Sequence, residues 1–395
     1  MGRGKVWFPY RQNYLQIFQP SDISYRHYSY SLACPQIHDC LMGAEMKQNL
    51  KSGGFNDRIP LMANKENKKM VKRKAPQPAG GRFRVVTLGG GTGSFTVLFG
   101  LKEYNELDIT AIVSMADDGG STGILRDQYG VLPPGDARRA LVALAREDGV
   151  FRELFSYKFS EGALSGHSIG NLLLAGLEKL TGSFKGALLE TSRLLAVSGK
   201  VVPVTEDNVR LHAVLEDGEL LFGEHVIDVP HGPRSPIRDI WLEPEAKISK
   251  DAKIAIANAD VVVICPGDLY TSIVPNILVK GVREALSNTK GKVIFVTNIA
   301  TKNGETNSYT ASDFLRVVES FLEDGTIDVV IMNTERPSES ILRKYKKEGA
   351  ELVMPNISKR LGLNIIKGKF VANGGLLRHD HQKLSRAIWQ LTTRS

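Results

Sequence analysis

Residues 89–94 combine four glycines with two hydroxyl side chains directly after an apolar segment: Gly89, Gly90, Gly91, Thr92, Gly93 and Ser94. Because glycine has no Cβ atom, a ligand can approach the backbone of such a turn closely. The next segment is patterned as a helix, whose first N–H groups and positive dipole end attract anions. We interpret the run as a binding turn for a phosphate or diphosphate. A tight strand-to-helix turn that binds no ligand is the alternative.

The residues at this turn exclude the two best-known phosphate loops. A dinucleotide fingerprint has the spacing G-x-G-x-x-G, which is absent here. A Walker loop has a Lys after its last glycine, whereas Ser94, Phe95 and Thr96 follow Gly93 in this chain. The sequence therefore predicts a phosphate-binding turn of a different family.

Three aspartates beside glycine or proline turns are candidates for binding Mg²⁺ or for orienting a hydroxyl group. Asp117 and Asp118 precede the run Gly-Gly-Ser at 119–121, and Asp136 follows Pro-Pro-Gly at 133–135. In a transferase, such carboxylates would bind Mg²⁺ or orient the attacking hydroxyl. The structural alternatives are a solvated turn for the pair and a helix cap for Asp136.

Other polar loops are less specific taken one at a time. His167 lies in a loop rich in Gly and Ser, where a capping role is more typical than that of a catalytic base. Residues 266–276 follow the apolar run 259–265, and residues 298–306 follow the apolar run 292–297. A continuous apolar run of this length suits a central strand that is covered on both faces.

A β-α-β unit is predicted to position the first two loops, with strands at 84–88 and 109–115 and a helix at 95–104. The alternation of strands and helices continues along the chain, with further strands predicted at 259–264, 292–297, 328–332 and 351–354, helical patterns between 137 and 197, and a closing helix at 383–392. Four strands therefore end in polar loops. Because the carboxyl ends of parallel strands meet at one edge of a sheet, these loops should form one composite site.

Residues 200–242 depart from this alternation, since their apolar residues recur with a period near two. A turn at 216–219 precedes a second predicted strand at 220–226, which is typical of a hairpin. We predict an α/β fold, Rossmann-like, with a mostly parallel sheet, helices on both faces and a small β-hairpin excursion.

Length and composition fit a soluble globular protein, with 395 residues, 42% hydrophobic and 24% charged. No apolar run approaches the roughly 20 residues of a transmembrane helix. Lys and Arg outnumber Asp and Glu by 13 to 5 in residues 1–80 and equal them, at 38 each, in residues 81–395. The net charge of +8 is therefore no sign of nucleic-acid binding. Three cysteines make no disulfide framework and favour a reducing cytoplasm.

The chain is expected to divide at about residue 80. Residues 1–80 have little periodic pattern and end in a basic cluster, so we expect a poorly ordered basic extension. Residues 81–395 carry the strand and helix patterns and are expected to form a single α/β domain.

The motifs resemble those of the YvcK/CofD family, which comprises gluconeogenesis factors and 2-phospho-L-lactate transferases. The resemblance covers about residues 83–355 and rests on the segments 89–93, 116–121, 133–136, 166–171, 266–276 and 298–306. The Asp-Asp-Gly-Gly-Ser run, the segment around His167 and the run Leu-Tyr-Thr-Ser-Ile-Val-Pro-Asn at 269–276 are similar to the YvcK branch.

Each branch of the family implies a different function. The YvcK branch implies a cytoplasmic regulator of carbon metabolism, gluconeogenesis and cell shape that binds a UDP-N-acetyl sugar such as UDP-N-acetylglucosamine and requires no cofactor. The transferase branch implies an enzyme that moves a phospholactyl group from a guanosine diphosphate donor to a deazaflavin with Mg²⁺. Whether the chain is an enzyme stays open at this point, as do homo-oligomers and protein partners.

The resemblance also implies which residues of the nucleotide-sugar-binding domain contact the ligand. They are Gly89, Gly90, Gly91, Thr92, Gly93, Ser94, Asp136, Arg138, His167, Asn171, Gly267, Asp268, Tyr270, Thr271, Ser272, Asn276, Asn298 and Thr301, with Asp117, Asp118 and Asp136 catalytic only in a transferase. The chain departs from the YvcK pattern at Asp268, Arg139 and Lys302-Asn303. A carboxylate at 268 would repel a diphosphate unless a cation lies between them.

Overall fold

A computed structural model describes residues 81–146 and 149–393. The predicted basic extension, residues 1–80, lies outside the described residues. Within them the strands are β1 Phe83–Gly89, β2 Leu107–Val113, β3 Lys200–Pro203, β4 Arg210–Leu215, β5 Leu220–Phe222, β6 Ile237–Glu243, β7 Val261–Ile264, β8 Lys292–Val296, β9 Val329–Asn333 and β10 Asn364–Gly368.

The helices cover the sheet and carry many of the polar loops. They are α1 Gly91–Leu101, α2 Gly120–Tyr129, α3 Gly135–Leu144, α4 Val150–Ser156, α5 Ile169–Thr181, α6 Phe184–Leu194, α7 Glu224–Asp228, α8 Lys250–Asn258, α9 Val274–Leu278, α10 Val282–Asn288, α11 Ala311–Ser320, α12 Glu339–Lys347 and α13 His381–Thr393. A π-helical turn at Leu269–Ile273 leads directly into α9.

Seven strands form one parallel sheet in the order β10-β9-β8-β7-β1-β2-β3. From β1 the chain adds β2 and β3 on one side. It then adds β7, β8, β9 and β10 on the other side. The carboxyl ends of β1 and β7 therefore flank the point where the strand order reverses, which is where open α/β sheets bind ligands. The predicted α/β, Rossmann-like fold is confirmed.

The central strands explain why the sequence folds in this way. All four residues of β7 are fully buried although successive side chains point to opposite faces, so both faces of the sheet are covered. Their β-branched side chains suit this environment. The four strands that end in polar loops, β2, β1, β7 and β8, are neighbours in the sheet, as the predicted composite site requires.

The β excursion is larger than the predicted hairpin. Strands β5, β4 and β6 form a three-stranded antiparallel sheet, and β6 was not anticipated as a separate strand. The prediction of a strand at 220–226 is wrong beyond Phe222. Gly223 has φ of +99°, in the left-handed region that ends a strand, and helix α7 starts after it.

The strand prediction at 351–354 is also wrong. Leu352 forms only an isolated antiparallel bridge with Ala300, because Thr301 and Glu351 bond to each other through backbone and side-chain atoms. The edge of the parallel sheet is instead β10. No residue of this short edge strand is fully buried, so its sequence lacks the apolar pattern that marks the central strands.

Candidate functional site

Two adjoining clefts open at the carboxyl edge of the sheet. The first, of about 410 Å³, contains five carboxylate side chains and is called the acidic cleft. The second, of about 580 Å³, extends towards Thr301, Tyr345 and Arg378 and is called the outer cleft. Both are lined by Gly91, Thr92, Asp228, Val229, Asp268 and Ser272. The glycine-rich turn therefore lies where the two clefts meet.

Close contacts explain the glycines of this turn. Gly91 adopts φ of +67°, and its N–H donates to Asp136 Oδ1 at 2.8 Å. A Cβ on Gly90 would lie 2.1 Å from Asp136 Oδ2, and a Cβ on Gly93 would lie 1.8 Å from the carbonyl oxygen of Pro266. Gly90 and Gly93 thus allow the turn to pack against α3 and against the loop after β7, while Gly91 leaves its own face open.

The contact at Gly93 gives a stability prediction. Gly93→Ala should destabilise the fold by about 1–3 kcal/mol, since the new methyl group overpacks against a backbone carbonyl that cannot rotate away. Gly176→Ala is the matched control, because Gly176 is exposed inside α5 with no neighbour near its Cβ position. That change should stabilise by about 0.5–1 kcal/mol. Urea unfolding of both variants tests the difference, and equal midpoints would contradict the packing described.

Buried carboxylates form one wall of the acidic cleft. Burial, with the neighbouring charge of Asp117, raises the pKa of Asp136 to about 6. Burial also raises the pKa of Asp117. Glu224 shows the largest effect, since burial and then the charges of Asp117 and Asp228 raise its pKa to about 10. At neutral pH Glu224 is therefore protonated and offers a hydrogen-bond donor.

The acidic cleft also contains basic side chains. Arg138, Arg139 and Lys158 line the acidic cleft. Burial, with repulsion from Arg139, lowers the pKa of Arg138 to about 10, which leaves the guanidinium charged at neutral pH. Arg139 contacts Asp136 at 3.3 Å. The cleft thus offers cations for phosphate oxygens beside carboxylates for hydroxyl groups or a metal ion.

A hydrogen-bonded row of side chains connects Arg138 to the predicted residue His167. Arg138 Nε donates to Asn171 Oδ1 at 2.9 Å, and Asn171 Nδ2 donates to Ser121 Oγ at 3.3 Å. Ser121 Oγ lies 2.9 Å from His167 Nδ1. His167 is buried behind the cleft, whereas Ser121, Arg138 and the largely buried Asn171 line it. The role suggested for His167 by its loop alone, that of a cap, belongs to Ser168, whose Oγ accepts from Asn171 N.

Asp118 does not join Asp117 in the cleft. Its carboxylate accepts a 2.8 Å bond from the N–H of His225 and contacts Arg210 Nη1 at 3.4 Å. The Asp118 side chain is 8% exposed. Because His225 and Arg210 belong to the antiparallel excursion, Asp118 holds the excursion against the loop after β2. These contacts give Asp118 a structural role, and the catalytic role predicted for it in a transferase stays a prediction.

The loop after β7 supports the cleft from beneath. Asn298 Nδ2 donates to the carbonyl of Gly267 at 2.7 Å, and Asn276 Nδ2 donates to the carbonyl of Ser272 at 2.8 Å. Tyr270 is 1% exposed, and its hydroxyl bonds to that of Tyr309. Asn298, Asn276 and Tyr270 thus support the loop, and the ligand contacts predicted for them stay predictions.

The two unusual residues Asp268 and Lys302 pair with each other. Lys302 Nζ lies 3.2 Å from Asp268 Oδ2 and 2.8 Å from Asp228 Oδ1. Although burial opposes its charge, these two carboxylates raise the pKa of Lys302. The cation required beside the carboxylate at 268 is therefore supplied by the chain itself.

Glu305 completes a group of three carboxylates with Asp228 and Asp268 whose oxygens lie within 4.8 Å of one another. It accepts bonds from Tyr270 N and Thr271 Oγ1. Burial and the charge of Asp268 raise the pKa of Glu305 to about 8. This group is thus balanced by Lys302 and by a proton on Glu305.

The structure brings most of the predicted residues together. Those that line the clefts are Gly91, Thr92, Gly93, Asp117, Asp136, Arg138, Asn171, Gly267, Asp268, Thr271, Ser272 and Thr301. Those that lie behind the cleft walls are Gly89, Gly90, Ser94, Asp118, His167, Tyr270, Asn276 and Asn298.

Helix α7 supplies cleft residues that the sequence did not reveal. Glu224, His225 and Asp228 line the acidic cleft, yet Glu224 and His225 lie in a segment predicted as a strand, and Asp228 lies two residues beyond it. The available signal was the glycine at 223 followed by Glu-His-x-x-Asp, a charged helical turn after an apolar strand. Lys158 in the loop before α5 and Arg378 near the carboxyl terminus were missed as well.

With this geometry established, residues 85–371 match the family described as 2-phospho-L-lactate transferase CofD. The match spans more than half of the chain. The chain belongs to the CofD family.

Within the CofD family the chain is similar to the gluconeogenesis factors. Relatives of that name from Halalkalibacterium halodurans and Bacillus subtilis are 42% and 39% identical, over 77% and 79% of this chain and 95% and 99% of their own. A protein of Thermotoga maritima is 45% identical over 78% of this chain and 99% of its own. The crystal structure of a UPF0052 family member from Bacillus halodurans superimposes with a TM-score of 0.74 at 41% identity, covering 78% of this chain and 99% of the other. None of the helices among the described residues is long and apolar enough to cross a membrane.

Proposed function

We propose that this CofD-family protein is a cytoplasmic regulator of carbon metabolism and cell shape that binds a UDP-N-acetyl sugar at the carboxyl edge of its sheet. The observation that best supports this proposal is the glycine-rich turn between the two clefts. Its open face at Gly91 lies at the start of α1, where backbone N–H groups and the helix dipole favour a diphosphate.

The two clefts suit the two ends of such a ligand. With the diphosphate at residues 91–93, one end extends into the acidic cleft and the other into the outer cleft. The acidic cleft offers the carboxylates of Asp117 and Asp136 to sugar hydroxyls, and a protonated Glu224 to an amide carbonyl. The glycine-rich turn supports binding of a diphosphate. The resemblance to the gluconeogenesis-factor branch supports the uridine and the N-acetyl group.

A transferase activity is the second candidate, because the matched family is described by that reaction. It would require Mg²⁺, and the residues fit the ion: Asp117 and Asp136 face the same cleft, and carboxylate oxygens are its preferred protein ligands. The ion would neutralise charge on the leaving phosphate. Asp117 and Asp136 would hold it, while Arg138 and Arg139 would bind phosphate oxygens.

Calorimetric titration separates the two candidates. The protein is titrated with UDP-N-acetylglucosamine, UDP-galactose and GDP, each with and without Mg²⁺. Deazaflavin is then added to the mixtures as the acceptor, and its modification is measured. Tight binding of the N-acetyl sugar nucleotide that is independent of Mg²⁺ is the expected result. Preference for GDP with an absolute need for Mg²⁺ would overturn the regulator in favour of the transferase.

A further inference from the structure

Two of the three hydrogen bonds in the row around Ser121 have a fixed direction, and the third, from Ser121 to His167, requires the His167 tautomer that carries its proton on Nε2. A guanidinium carries only donors, so Arg138 Nε–H must donate to Asn171 and thereby orients the amide with its NH₂ group towards Ser121. Asn171 Nδ2 then donates to Ser121 Oγ. The Ser121 hydroxyl is therefore free to direct its proton to His167 Nδ1, 2.9 Å away. This is the arrangement of a nucleophile and its general base.

The position of Ser121 places this pair where a ligand phosphate would react. Ser121 is the second residue of the ten-residue helix α2, so it sits at the positive end of the dipole. It lines the acidic cleft together with Gly91, Arg138 and Lys158. His167 is 8% exposed, so the base approaches Ser121 from behind the wall and leaves its cleft side open.

We propose that Ser121 is a nucleophile, with His167 as its general base, that accepts a phosphorus-linked group from a nucleoside diphosphate sugar bound in the acidic cleft. This inference rests on the proposed function, since it requires that ligand. It assigns chemistry to a site whose ordinary interpretation is a hydrogen-bonded link between α2 and the loop before α5.

The step transfers one of the two phosphoryl groups of the diphosphate, with the substituent it carries, to Ser121. A bond forms between Ser121 Oγ and one phosphorus as the bridging phosphorus–oxygen bond breaks. The hydroxyl proton passes to His167 Nδ1, and the leaving phosphate keeps the electron pair of the broken bond. Attack on the sugar-bearing phosphorus releases a nucleoside monophosphate, and attack on the other releases a sugar phosphate. In both cases the product is a phosphodiester on Ser121. Arg138 and Lys158 supply positive charge beside the transferring group.

The test follows the full-length protein with UDP-N-acetylglucosamine. Binding is measured by calorimetry, the adduct by intact mass and peptide mapping, and released UMP or sugar phosphate by chromatography. We expect an adduct on Ser121, or continuous product release where water removes it. Binding without adduct and without product would overturn the nucleophile and leave the binding function standing. Absence of binding would overturn both proposals.

Variants separate chemistry from folding. Ser121→Ala should abolish adduct and product. Because it also removes the partner of Asn171 Nδ2 and His167 Nδ1, a lower melting temperature is expected, so the adduct is measured where the variant is folded and saturated with ligand. His167→Asn keeps an acceptor near the position of Nδ1 but removes the base, so it should slow formation of the adduct roughly 100-fold. Ser338→Ala, at the start of α12, is the matched serine control and should behave as wild type. Transfer that persists in Ser121→Ala would overturn the proposal, even if His167→Asn forms the adduct more slowly.

Discussion

Asp136→Asn is expected to make the protein more stable at pH 7 and a weaker binder of its ligand. The folded-state pKa of about 6 lies above the usual value of 3.8. The folded state is therefore penalised as pH rises between these values, and the penalty is complete at pH 7. Two pKa units correspond to about 3 kcal/mol, which the uncharged Asn removes. Asn also retains a carbonyl oxygen for the N–H of Gly91.

The effect of Asp136→Asn on binding should have the opposite sign. A charged hydrogen bond to a sugar hydroxyl, or a shared metal ion, is worth roughly 1.5–3 kcal/mol. Its loss should therefore weaken affinity about 10-fold to 100-fold. Greater stability together with poorer binding is the usual mark of a residue kept for function.

The pH dependence makes the Asp136→Asn experiment specific. The gain in melting temperature should be largest at pH 7 and should disappear near pH 4, where wild-type Asp136 is already protonated. Asp380→Asn is the matched control, because Asp380 caps the first turn of α13, where Asn caps equally well, and its ion pair with Lys383 is long at 4.0 Å. Unchanged affinity for every nucleotide tested, with and without Mg²⁺, would show that Asp136 serves only to hold Gly91.

The sequence was sufficient for features determined locally. The run at 89–94 predicted a glycine-rich strand-to-helix turn because glycines report directly on backbone conformation and close approach, and the structure shows both at Gly91 and Gly93. Phosphate binding at this turn stays a prediction. The uninterrupted β-branched run of β7 also predicted a central strand from its own residues alone. These features need no knowledge of distant residues.

Features that depend on distant partners could not be predicted. Asp117 and Asp118 are adjacent and identical in type, yet only Asp117 faces the cleft. The choice is made by His225 and Arg210, which approach Asp118 from the excursion. The pairing of Asp268 with Lys302 is of the same kind. Asp268 looked unfavourable from the sequence alone, and Lys302 balances its charge in the structure.

Gly91→Val should abolish nucleotide binding while leaving a folded protein. Among the described residues, Ser272 Oγ, at 3.4 Å, is the one atom near the Cβ position of Gly91, so a side chain added there would occupy the space where the clefts meet. A β-branched residue also resists φ of +67°, which costs roughly 1–2 kcal/mol of stability. We expect affinity to fall more than about 100-fold, because an anion must reach the backbone N–H groups directly.

A matched substitution separates backbone strain from occupation of the cleft. Gly130 has φ of +60° at the end of α2, and no atom lies within 4 Å of its Cβ position. Gly130→Val should therefore cost about the same stability as Gly91→Val but leave affinity unchanged. Calorimetry and thermal unfolding of the two variants measure both quantities. If Gly91→Val binds within a few-fold of wild type, the glycine-rich run is a tight turn and the diphosphate must lie elsewhere. If both variants lose binding equally, strain transmitted through the fold, and not the open face of Gly91, explains the loss.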